Sequence, residues 1–219
     1  MAAAIFLARG GHEVTLFEKF EQPKPLGAGL LLQPTGLACL ALLGLDQKVI
    51  AAGNKIDHLH GLSGGRTVFD VYYHDLAPHL FGLGVHRGVL FEILFGEVRR
   101  LNIPIQSRFA ADHVKEMQNG RLEIIAHDGQ NGGVFDLVVD AGGLKSPLRD
   151  KYAPVKYIKP YIYGAVWGVC RDEGGRFSKD KLQQRYTHAK KMCGALGIGS
   201  STEKDDKHIA FFWSLKPQD

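Results

Sequence analysis

The sequence predicts an α/β protein, a helix-and-strand domain interrupted and followed by pieces of a second, β-rich layer. Three observations predict it. The opening "MAAAIFLARGGHEVTLFEK" reads as helix, tight turn and strand. Apolar residues at Val89, Leu90, Ile93, Leu94 and Val98 recur at helical spacing between β-rich stretches. Beyond residue 154 aromatic residues become dense, at Tyr157, Tyr161, Tyr163 and Trp167, and "IAFFWSL" over 209–215 reads as a strand.

The elements follow in order. Ala2 to Ala8 are apolar almost without a break, and Gly10-Gly11 supplies a helix stop. His12 to Glu18 reads as a short strand, and the prolines of "QPKP" end it in a loop. "GAGLLL" over 27–32 reads either as a flexible connection or as a close backbone approach to a flat ligand. Pro34 near a helix start, the run "LACLALLGL" and Gly44 describe a second helix. "RTVFDVYY" is a β segment. A third helix follows His86-Arg87 and ends with Arg99 and Arg100, which suit its dipole. Strands are expected at about 105–114, 121–127 and 134–139, with "HDGQNGG" as turn chemistry between the latter two. "VFDLVVDAGG" reads as a buried strand running into glycines.

The totals narrow the class. The chain has 219 residues, 45% of them hydrophobic, and a net charge of +4. Its lysines are scattered, without a basic stripe or interleaved aromatics, so the charge reads as a solvated surface and not a nucleic-acid face. Cys39, Cys170 and Cys193 are odd in number and far apart, which points to a reducing, cytoplasmic compartment. No apolar run reaches the roughly 20 residues that span a bilayer.

Single residues are ambiguous. Glu18 is either a surface carboxylate beside Lys19 or an acceptor for ribose hydroxyls at a strand end. Arg87 is either a surface ion-pair residue or an anion holder at a helix start. His58 and His60 form H-x-H without a third ligand motif and read as surface histidines, so no metal site is expected. No nucleophile elbow is read around any serine, and no residue is assigned as catalytic. Tyr72, Tyr73, Tyr161, Tyr163 and Trp213 either line an aromatic pocket or fill core, with core favoured.

The combination carries more. "AAAIFLARGGHEVTLFEK", "GAGLLLQPTGLACLALLGL", "GVHRGVLFEIL" and "FDLVVDAGGLKSPLR" occur in order and at suitable spacing. Together they resemble the FAD-dependent monooxygenases of the para-hydroxybenzoate hydroxylase type. The resemblance implies a Rossmann-like FAD domain, at 1–65 and 85–152, interwoven with a β-rich substrate domain at 66–84 and 153–219. It implies NAD(P)H as electron source, O2 as co-substrate and a small aromatic or hydrophobic substrate. By position, Glu18 with Lys19 would meet the adenosine ribose, Gln33 the flavin, and Arg87 the phosphate and ribitol region. Gly143 and Arg149 fall in a second cofactor motif, normally an Asp-Gly pair followed by Ser and Arg. Gly142 stands where that aspartate belongs, and a carboxylate restored there in a full-length version is expected to improve flavin or NAD(P)H handling.

The same resemblance makes the FAD domain incomplete. The family's first strand and G-x-G-x-x-G precede the helix at which this sequence opens, and a Gly-Asp motif follows beyond its last residue. The alternative expectation is therefore a remnant that binds no flavin by itself. A flavin-free nicotinamide dehydrogenase is weaker, because the same glycine loop would hold NAD.

Overall fold

The computed structural model describes residues 1–25, 27–153, 159, 161–188, 190–199 and 208–216. Tyr157 lies outside the described residues. In chain order the elements begin with α1 (Ala2–Arg9), β1 (Leu16–Phe17), β2 (Gly29–Leu32), α2 (Pro34–Leu42) and α3 (Asp46–Ala52). Next come β3 (Asn54–Ile56), β4 (His58–Ser63), β5 (Arg66–Tyr72), β6 (Gly82–His86) and α4 (Arg87–Arg100). Then follow β7 (Ile105–Gln106), β8 (Ala111–Glu116), β9 (Leu122–Ala126), β10 (Asn131–Phe135) and α5 (Pro147–Tyr152). The last strands are β11 (Gly164–Arg171), β12 (Lys181–Thr187), β13 (Lys191–Gly197) and β14 (His208–Leu215). The α/β expectation holds, with several separate sheets.

By contacts the chain divides into two units. One comprises residues 1, 3–24 and 100–160, and the other residue 2 with 25–99 and 161–219.

In the first unit α1 stops where the glycines predict, but Gly11 takes the left-handed conformation (φ 85°) and Gly10 keeps φ −76°. The strand expected over 12–18 shrinks to β1, which pairs in parallel with β7. A strand exists only where a partner offers a ladder, and among the described residues β1 has one on a single side. The strand expected over 105–114 is broken by Arg108, held at φ 57°, into β7 and β8. The one expected at 134–139 moves to β10, which runs through the "NGG" stretch with an irregular register between Asn131 and Gly133. Residues 136–140 lie outside any ladder, and Leu137 and Val139 are 64% and 55% exposed. The expected buried strand is therefore absent there: an apolar run is buried only if another strand pairs beside it. Phe109, Ile124 and Ala126 form the core, with Phe17, Val114 and Phe135 packed on it.

The second unit has a six-stranded sheet in the order β11-β14-β13-β12-β4-β5 and a three-stranded sheet β2-β6-β3. The "GAGLLL" stretch is more than a connection. Leu30–Leu32 pair with Leu83–Val85, and Leu83 and Val85 are fully buried, so the run becomes strand β2. Helix α2 begins at Pro34 as expected, Gly44 closes the stretch at φ 62°, and α3 follows at once beyond the predicted helix. The two sheets meet so closely that a Cβ on Gly84 would fall 1.9 Å from the Gly197 carbonyl oxygen. Their shared core is Ile56, Tyr73, Leu196, Ile198 and Ala210. Of the aromatic residues whose role was open, Tyr73 is core, while Tyr161 and Trp213 are exposed.

Candidate functional site

Glu18 follows β1 directly, at the carboxyl end of a parallel pair, where open α/β sheets bind ligands. Its backbone is fixed on both sides: its N–H donates to Gln106 O at 3.0 Å, and its carbonyl accepts the Phe109 N–H at 2.9 Å. Oε1 accepts the Phe20 N–H at 3.0 Å. Oε2 makes no hydrogen bond among the described residues and is available to hydroxyl donors. Lys19 Nζ stands 4.8 Å from the centre of the Phe20 ring.

In the same unit Gly143 sits at φ 75°, a conformation that favours glycine, and its carbonyl accepts the Ser146 N–H at 3.1 Å. Ser146 caps α5 by accepting the Arg149 N–H. Asp140 organises this turn. It accepts the Gly142 N–H at 2.8 Å on one oxygen and the buried Ser146 hydroxyl at 2.7 Å on the other. The Ser146 hydroxyl, then the Gly142 N–H, holds the Asp140 carboxyl below the usual carboxylate range. Sequence reasoning stopped at Gly142 and missed Asp140; the Asp-x-Gly spacing of an Asx turn was the available signal. The Arg149 guanidinium is already engaged. Nη1 donates to Leu144 O at 2.8 Å, and Nε and Nη2 donate to Asp150 Oδ1 at 2.9 and 2.6 Å.

The second unit holds the other two expected residues. Arg87 opens the 14-residue helix α4, its N–H donating to Ala28 O at 2.8 Å. Its exposed guanidinium makes no hydrogen bond or ion pair among the described residues. Gly27 makes room for it: at φ +120°, a Cβ there would lie 2.7 Å from Arg87 Cδ. A free cation at a helix N-terminus is suited to a phosphate. Gln33, the N-cap of α2, makes no side-chain cap hydrogen bond. Its Oε1 instead accepts from the Tyr73 hydroxyl at 2.7 Å. Burial pushes the Tyr73 phenol up, partly offset by Gln33, so it stays a donor.

His58 is not a surface histidine. It is 5% exposed, stacks on Tyr72 with ring centres 3.9 Å apart, and its Nε2 lies 2.5 Å from Asp70 Oδ1. The ring on β4 is covered by Tyr72 of the neighbouring strand β5, which a lone H-x-H pattern does not reveal. Among the described residues no group of three or more His, Cys, Asp and Glu side chains is placed to hold a metal. No helix among them is long and apolar enough to cross a membrane.

No family profile matches the chain. It is 30% identical over 203 residues to protoasukamycin 4-monooxygenase of Streptomyces nodosus subsp. asukaensis, covering 85% of this chain and 49% of that protein. Its fold matches a tetrameric form of 2-methyl-3-hydroxypyridine-5-carboxylic acid oxygenase at a TM-score of 0.81 and 18% identity, over 100% of this chain and 56% of that one. It also matches Klebsiella pneumoniae HpxO, solved with FAD and uric acid, at 0.78 and 18%, over 98% and 53%. The chain spans about half the length of the curated relatives it matches. With sequence likeness along most of the chain and a shared fold, the chain is similar to part of the FAD-dependent aromatic hydroxylases.

Proposed function

We propose that this chain serves FAD-dependent, NAD(P)H- and O2-using hydroxylation of a small aromatic molecule. The observation that carries the reading is Arg87: a guanidinium with no hydrogen bond or ion pair among the described residues, at the head of a long helix, with Gly27 clearing the space beside it. Each unit, taken by itself, offers groups that fit a part of FAD in kind. A free carboxylate oxygen on Glu18 suits ribose hydroxyls, Arg87 suits the diphosphate, and the Gln33 amide suits a heteroaromatic ring. Lys19 adds positive charge beside Glu18. Gly143 and Arg149 act through the turn they shape.

When bound, FAD supplies the redox chemistry, and the protein binds, orients and keeps water away. The residues named here hold and orient; none is assigned a proton-transfer step. Residues 1–65 and 85–152 would serve the cofactor, and 66–84 with 153–219 the substrate. An aromatic substrate is supported by two relatives, 3-hydroxybenzoate 6-hydroxylase 1 and an FAD-dependent urate hydroxylase. A reducing, cytoplasmic setting is supported by three free cysteines.

The test is titration of the protein with FAD, followed by quenching of flavin fluorescence, and then NAD(P)H oxidation with a panel of aromatic acids. Saturable FAD uptake and oxidation stimulated by one of those acids is the expected result. Protein that takes up no FAD would overturn the reading.

A further inference from the structure

We infer that Tyr73 is a positioning residue that sets the Gln33 amide with its nitrogen outward, presenting a hydrogen-bond donor to the flavin; this rests on the FAD reading above. The two residues are 40 positions apart and belong to different segments. Gln33 leaves strand β2 and caps α2, whereas Tyr73 follows β5. Tyr73 is buried in the core shared by the two sheets, and its own N–H donates to Asp57 O at 2.9 Å. Gly82 admits the ring: a Cβ there would fall 2.8 Å from Tyr73 Cε2 and 2.9 Å from its hydroxyl. The phenol is thus clamped by packing, and the exposed Gln33 side chain adapts to it.

A carboxamide has one accepting and one donating end. A buried phenol needs an acceptor, and Gln33 Oε1 supplies it at 2.7 Å. That contact fixes which end faces inward. Gln33 Nε2 has no hydrogen bond among the described residues, so two N–H donors remain for a ligand. Without the phenol the amide turns freely and presents either end. Tyr73 would then act on the flavin only through Gln33.

That dependence sets the experiment. Tyr73→Phe keeps the ring and its packing, Gln33→Leu removes the amide, and the double variant joins them. FAD affinity and the visible flavin absorption bands are measured for each, with thermal melts as a folding control. Each single variant is expected to weaken FAD about fivefold and to shift the bands, as loss of one hydrogen bond does. The double variant is expected to be no weaker than Gln33→Leu alone. Multiplied effects in the double variant, or wild-type affinity and bands in Tyr73→Phe, would overturn the inference. In nitrogen-labelled protein without FAD, the Gln33 side-chain NH2 resonances should move to free-amide positions in Tyr73→Phe. Unmoved resonances would overturn the positioning by themselves. Wild-type protein that binds no FAD would overturn the FAD reading and leave those resonances to decide whether Tyr73 sets the amide.

Discussion

The Ser146 hydroxyl donates to Asp140 Oδ2 at 2.7 Å, while the other Asp140 oxygen accepts the Gly142 N–H at 2.8 Å. One exposed carboxylate thereby ties the end of an extended segment to the start of α5. The sequence suggests that a carboxylate is missing at 142. The structure holds one two residues earlier, already satisfied by the turn it shapes.

Gly142→Asp is therefore expected to destabilise the protein by about 1–2 kcal/mol and to leave FAD affinity no better. A Cβ at 142 would lie 3.0 Å from both Asp140 Oδ1 and Ser146 Cβ, and the new carboxylate would face Asp140. Urea denaturation and FAD titration check this. A tighter-binding variant with an unchanged midpoint would mean the turn accommodates a second carboxylate.

The same turn sets a pH dependence. The folded pKa of Asp140 lies below its unfolded value, so the folded state binds its proton less well. Its contribution is fully present above the unfolded value of about 3.9 and is lost as pH falls through the lower folded value. Exposure keeps the effect small. Asp140→Asn should be less stable than wild type near neutrality, and the gap should close below that window. Parallel stability curves down to strongly acid pH would show that Asp140 contributes no ionisation-linked stability.

Arg87→Ala should weaken FAD by about tenfold or more, the size of one charge-assisted contact, and leave the melting temperature unchanged. Stability is spared because the guanidinium has no partner among the described residues. Gly27→Ala should also lower affinity, since its Cβ would meet Arg87 Cδ at 2.7 Å. Calorimetric titration with FAD measures both. Unchanged affinity in Arg87→Ala would make Arg87 an ordinary surface residue.

Asp70→Ala should cost about 1–3 kcal/mol, more than the ±0.5 kcal/mol usual at exposed positions. The Asp70 side chain is 51% exposed, yet it is the partner of His58 Nε2, whose ring is buried against Tyr72. Removing it strands a buried polar group, whereas Asp70→Asn keeps an acceptor and should cost less. Equal, small losses for both variants in chemical denaturation would mean that solvent reaches His58.

The sequence by itself determined α1, α2 and α4 and where they begin or end, while α3 and α5 were not legible in it. The Gly10-Gly11 stop, Pro34 opening α2, Gly44 closing it, and Arg87 at the head of α4 all stand where the residues place them. Helical hydrogen bonds join residues four apart, so caps, glycines and apolar spacing carry the information locally. Strand ladders join distant segments, and tertiary structure decided them. Two residues of the 12–18 stretch found a partner in β7, 136–140 found none, and "GAGLLL" gained one in β6. The site divides in the same way. Glu18 and Arg87 were legible as candidates from their places beside element ends, and Gln33 only through the resemblance. Three facts were not: that Arg149 is bound to Asp150, that Asp140 shapes the glycine turn, and that Tyr73 holds Gln33. The Tyr73–Gln33 and His58–Asp70 pairs exist only after folding has brought separated segments together, and a side chain's partner there is set by the packing around it.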